Sequence, residues 1–97
     1  MGQMQEQQKA MRAALEKITV EAAAGDGAVK VQANANRQIL NISIDKNLLD
    51  GSDIEQLEDL ITVAVNRALE MAAQEESEAA QQMVKSMLPA GLGNLLG

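Results

Sequence analysis

Two alternating runs that lead straight into a long stretch free of helix breakers leave this chain few folds to adopt. Ala28-Val-Lys-Val-Gln-Ala33 and Gln38-Ile-Leu-Asn-Ile-Ser-Ile-Asp45 alternate apolar and polar residues, and Asp50-Gly-Ser-Asp-Ile-Glu-Gln-Leu-Glu-Asp-Leu60 then opens a helix. A period of two marks a strand with one face buried and one face wet. Val29, Val31 and Ala33 share the inward face, opposite Lys30, Gln32 and Asn34. In the following strand Leu40, Ile42 and Ile44 form the inward set, with Asn41, Ser43 and Asp45 outward and Ile39 at its start. Ile18, Val20, Ala22 and Ala24 supply a similar run before Gly25-Asp-Gly27, a turn in which glycine tolerates positive φ. Asn34-Ala-Asn-Arg37 is polar enough to turn the chain again. The expectation is a three-stranded antiparallel meander with one apolar face.

Helices flank the meander. From about Gln3 to Lys17 the chain is rich in Gln, Glu, Lys, Ala, Met and Leu, which favour helix. Met4, Met11 and Ile18 recur every seven residues, with Leu15 beside them, making one thin apolar stripe that leaves Gln5, Gln8, Lys9 and Arg12 outside it. After Leu49, Ser52 and Glu55 have capping-box spacing, and Asp53 suits a first helical turn. Nothing breaks the helix before Pro89. Leu57, Leu60, Ile61, Ala64, Val65, Ala68, Leu69 and Ala72 make a broad face for the sheet, Gln74 to Glu78 is polar all round, and Ala79, Ala80, Met83, Val84, Met87 and Leu88 restore a narrow stripe. A helix of some 35 residues is about 50 Å long, so its far half bends back or projects. A projecting half needs the thin stripe of the first helix as its partner, which gives a two-helix arm.

The architecture expected is therefore α+β: an N-terminal helix, the meander, and a long C-terminal helix, continuous or broken, in a single domain over residues 1–88. A Gly- and Leu-containing tail follows at 89–97. The chain has 97 residues and no Phe, Trp or Tyr. So small a core, built of Ala, Val, Ile, Leu and Met, is marginal alone and points to a two-fold homodimer.

Composition also narrows function. With neither cysteine nor histidine, thiolate chemistry, zinc–sulfur sites and the commonest general base are missing. No cofactor, metal or small-molecule substrate is expected. No apolar run is long enough for a membrane span, and the polar N-terminus does not read as a signal peptide, so a cytoplasmic protein is expected. Asp45, Asp50, Asp53, Glu55, Glu58 and Asp59 crowd the entry to the long helix, but Leu48 and Leu49 interrupt any calcium-loop rhythm, and acids at a helix start favour its dipole unaided.

The same residues carry a resemblance. Met4-Gln-Glu with Met11, Gly27-Ala-Val-Lys-Val31, Asn34, Ile42-Ser-Ile-Asp45 followed by Leu48-Leu49-Asp50, and Leu57-Glu-Asp-Leu60 running to Ala64-Val-Asn-Arg-Ala68 together resemble the YbaB/EbfC family of small bacterial nucleoid-associated proteins. The likeness covers residues 4–88. It implies a dimer with a shared β body and projecting helical arms, duplex DNA binding with little sequence preference, a place in the nucleoid, a role in its organisation or in gene regulation, and no catalysis. Where many members carry glycines around the second turn, this chain has Ala35 and Arg37, and its extreme N-terminus is shorter than usual.

Any DNA contact has to come from a local basic patch, because the net charge is −6 per chain and −12 for a dimer. The candidate DNA-binding residues are Lys9, Arg12 and Lys17 on and after the first helix, Lys30 on the polar face of the second strand, Arg37 in the turn, and Lys85 on the far half of the long helix, expected beside Lys9 and Arg12. Against them stands local pairing with Glu6 or Glu16, and for Arg67 pairing with Glu70 or Glu58. The alternative function is a dimeric protein–protein interaction module without direct DNA binding, using the acidic surface and the Met-bearing stripes.

Overall fold

Val29, Val31 and Ala33 lie at the centre of the molecule with no solvent exposure, as the middle of an alternating strand should. In the computed structural model, which describes residues 2–49 and 53–87, the elements run α1 (Gly2–Glu16), β1 (Thr19–Ala24), β2 (Val29–Asn34), β3 (Ile39–Ile44), a short 3-10 turn (Lys46–Leu49) and α2 (Ile54–Met87). The strands form one antiparallel sheet in the order β1-β2-β3. The expected α+β order is observed, and α2 is one unbroken helix of 34 residues. The segment 89–97 and the candidate cap Ser52 lie outside the described residues.

Helix α2 lies across β1 and β2. Ala64, Ala68 and Ala72, four residues apart on one face of α2, are completely buried against Ala22, Ala24, Val29, Val31 and Ala33. Such small side chains let the helix axis approach the sheet closely, while Leu57, Leu60, Ile61 and Val65 pack at the margin of the core. The Gly25–Ala28 turn is shaped by that approach. Gly25 has φ +63°, and a Cβ there would meet the Leu60 side chain at 3.0 Å. Asp26 and Gly27 continue the left-handed conformation at φ 56° and 89°, which lets β2 return beside β1.

One local expectation is corrected. A bulge between Gln32 and Ala33 pairs Ala33 with Ile39, so Ile39, Ile42 and Ile44 share the face of Ala33, Val31 and Val29. Leu40 is the extra residue and is 51% exposed rather than inward. At the start of α2, Asp53 is the cap: its Oδ1 accepts from the Gln56 N–H at 2.9 Å and its carbonyl from the Leu57 N–H at 3.3 Å. Asp53…Gln56 has the same three-residue spacing that Ser52…Glu55 offers.

Because α2 covers β1 and β2, β3 is left largely bare. Ile39 is 39% and Ile42 42% exposed although their face of the sheet is apolar. The outer edge of β3 is also unpaired. Asp45 N–H donates to the Ala28 carbonyl and Asn34 N–H to the Gln38 carbonyl. Ladder alternation then turns the backbone groups of Ile42 and Ile44 outward. The opposite edge is treated differently. Arg67 does not pair with Glu58 or Glu70; its Nη1 donates to the Ala23 carbonyl at 2.8 Å, across the free side of β1.

Candidate nucleic-acid interface

Helix α1 is fixed by its C-terminal end, where carbonyls lack intrahelical partners. The Ala14 and Leu15 carbonyls accept from Lys17 N–H and Ile18 N–H, each at 3.2 Å. Ala35, fully buried in the β2–β3 turn, donates its N–H to Ile18 O at 2.9 Å and Leu15 O at 3.2 Å. Beside it, Asn36 Nδ2 donates to the Arg12 carbonyl at 3.0 Å. Leu15 is buried, while Met11 and Ile18 are half-buried along the expected stripe. The helix thus leaves the body anchored to the turn that carries Arg37.

That turn is built around Asn34, whose side chain is buried. Its Oδ1 accepts from Asn36 N–H at 3.0 Å and Gln38 N–H at 3.2 Å, and its Nδ2 donates to Gln38 Oε1 at 2.8 Å. The Arg37 N–H closes the turn on the Asn34 carbonyl at 2.9 Å. Arg37 itself has φ 62°, the left-handed backbone that glycine accepts without strain. A non-glycine side chain held there is displayed outward by a rigid turn.

The result is a concavity of about 350 Å³ lined by Arg12 and Glu16 of α1, Asn36, Arg37 and Gln38 of the turn, and Glu76 of α2. Arg37 Nη2 lies 3.6 Å from Glu76 Oε1. Next to it a larger groove of about 590 Å³ runs between Met11, Arg12 and Leu15 of α1 and Glu76, Ser77 and Ala80 of α2. Lys9 joins Arg12 in a third hollow with Gln5 and Gln8 on the outer side of α1. The structure therefore brings Lys9, Arg12 and Arg37 into neighbouring hollows, with Arg12 common to all three.

The other candidates do not join them. Lys85 lines a separate groove with Ile18, Glu75 and Glu78, so it is not grouped with Lys9 and Arg12 as expected. Lys30 projects from the sheet face opposite α2, in register with Ser43 and Ala23. Lys17 follows the end of α1 and is exposed. The seam of the arm is shorter than expected: Met11 and Leu15 line a groove with Ala80 of the expected stripe, whereas Met83 and Val84 stay exposed. The side chains of Met4 and Met87 lie outside the described residues. Arg37–Glu76 is the one ion pair among the described residues, and no ion pair joins Lys9 or Arg12 to Glu6 or Glu16.

Nothing in the geometry resembles an ion site. Among the described residues no three acidic side chains come together as metal ligands, and Asp45 and Asp53 spend an oxygen each on the backbone of Asn47 and Gln56. Among the described residues no helix is long and apolar enough to cross a membrane.

Comparison with known proteins agrees with this layout. The profile of the YbaB/EbfC DNA-binding family matches residues 1–87. A nucleoid-associated protein of Thermoanaerobacter pseudethanolicus is 45% identical over 83 residues, covering 86% of this chain and 72% of that protein. One from Clostridium novyi is 42% identical over 82 residues, covering 84% and 69% respectively. Among solved structures, an uncharacterized protein from Helicobacter pylori shares the fold with a TM-score of 0.68 at 20% identity, covering 84% of this chain and 95% of that one. With a match that takes in α1, the meander and α2 together, the chain belongs to the YbaB/EbfC DNA-binding family.

Proposed function

We propose that this nucleoid-associated DNA-binding protein grips duplex DNA as a homodimer, with little sequence preference, and acts in the nucleoid to organise DNA or regulate genes. The observation that carries the reading is the convergence of Arg12 and Arg37 on one concavity, with Lys9 beside it, on a chain whose net charge is −6. Guanidinium and ammonium groups held at a surface neutralise phosphates and release counterions, which gives affinity without reading bases. Lys17, Lys30 and Lys85 stand apart and contribute less. The net charge of −6 over the whole chain limits loose association and makes binding depend on this patch.

Self-association is supported by β3. Its exposed Ile39 and Ile42 and its outward backbone groups offer an apolar strip beside an unpaired edge. A second copy related by a two-fold axis buries both together and presents two arginine concavities to the duplex.

The reading is tested by fluorescence anisotropy of a labelled random-sequence duplex at about 50 and 200 mM salt. Binding is expected to weaken steeply with salt and to fall about tenfold or more in Lys9→Ala/Arg12→Ala, since two phosphate contacts are lost. A folded protein that fails to bind duplex at the lower salt would move the assignment to a protein partner.

A further inference from the structure

Arg37 is held by its backbone and opposed through its side chain. Asn34, Asn36 and Gln38 lock its turn through hydrogen bonds of 2.8–3.2 Å, and the positive φ of 62° persists because that network over-determines it. The guanidinium meets a carboxylate from another element, Glu76 of α2, at 3.6 Å. The arginine side chain remains 58% exposed, whereas Glu76 is 35% exposed. The concavity holds two cations, Arg12 and Arg37, and two carboxylates, Glu16 and Glu76, so its formal charge cancels. An arriving phosphate gains little there until a carboxylate gives way. An ion pair this exposed is weak enough to exchange, since such pairs contribute little in water.

We propose that Glu76 occupies the phosphate's place on Arg37 in the free protein and is an internal competitor that sets DNA affinity. This rests on the reading of Arg37 as a phosphate contact. Binding is then an exchange: a phosphate oxygen takes the Arg37 guanidinium, and the Glu76 carboxylate turns into solvent. A guanidinium has five N–H donors in a fixed fork, so the incoming phosphate can take two where Glu76 reaches one nitrogen at ion-pair distance. Glu76 thereby raises the threshold for anions that offer a single weak contact, and an array of duplex phosphates exceeds it.

The test is a double-mutant cycle read by duplex anisotropy at about 50 mM salt. Glu76→Gln keeps the shape and removes the charge; it is expected to tighten binding about three- to tenfold, the range that one exposed pair per protomer supports. Glu76→Ala repeats the charge removal without an amide that could replace the contact. In an Arg37→Asn background, chosen because Asn tolerates left-handed backbone, the gain from Glu76→Gln is expected to vanish. Glu70→Gln, an exposed charge elsewhere on α2, is expected to change affinity less than about twofold. Circular dichroism and thermal melting confirm that each variant is folded. An undiminished gain in the Arg37→Asn background, an equal gain from Glu70→Gln, or no gain from either Glu76 variant in a protein that binds duplex overturns the competitor role. Absence of duplex binding by the wild-type protein overturns the DNA reading instead, and the competitor role with it.

Discussion

Asn34 organises the turn that displays Arg37. It is buried, and its side-chain amide uses three hydrogen bonds to hold Asn36 and Gln38 on either side of Arg37. Removing it leaves the part-buried Asn36 and Gln38 N–H groups without their acceptor, a loss of about 1 kcal/mol or more. Asn34→Ala is expected to lower stability by about 1–2 kcal/mol in urea denaturation and to weaken duplex binding as well, because Arg37 no longer has a fixed base. The residue is visible in the sequence as a turn former, but its burial is not. Nor is the meeting of Arg12, Arg37 and Glu76, which sit on three elements and converge only because α1 is bonded to the β2–β3 turn through Ala35 and Asn36. Arg67 illustrates the same limit. Helical spacing points to Glu58 or Glu70, yet the partner is a carbonyl on β1, a contact that depends on how α2 crosses the sheet.

At the scale of elements the sequence is far more legible, because one-sided burial leaves a period that can be counted. Val29, Val31 and Ala33 alternate as they must for a central strand, and Ala64, Ala68 and Ala72 recur as a helix face must. Their small size is what seats α2 on the sheet. Ala68→Leu is expected to cost about 1–3 kcal/mol by overpacking that contact, seen as a lower melting temperature in calorimetry. What the period cannot settle is a choice between adjacent residues of the same kind. Ile39 and Leu40 are both apolar, so either satisfies the inward position, and only the bulge against Gln32 and Ala33 selects Ile39. Ser52 and Asp53 are both good cap types with an acid or amide three residues on, and Asp53 caps Gln56. Asp53→Ala is accordingly expected to destabilise α2 by about 0.5–2 kcal/mol, measurable as a shift of the urea midpoint.

For the whole molecule, the bare strand β3 and the small core both fit the proposed homodimer. If a second copy covers β3, a charge placed on the strip separates the two. Ile42→Lys is expected to shift the sedimenting species from two chains to one and to abolish the concentration dependence of the melting temperature. Weaker duplex binding should follow, since two linked sites become one. The shape of each protomer adds a mechanical condition. The molecule extends 61 Å along its longest axis against 31 and 16 Å in the others. Helix α2 supplies much of that length and contains neither glycine nor proline between Ile54 and Met87. It is a lever with no joint of its own. Any adjustment of the grip to a wider or narrower duplex has to be made where the alanines bear on the sheet, a smooth contact with little to interlock. From Ala72 to Met87 the lever arm is about 22 Å, so a tilt of roughly 10° at that bearing swings its far end by about 4 Å.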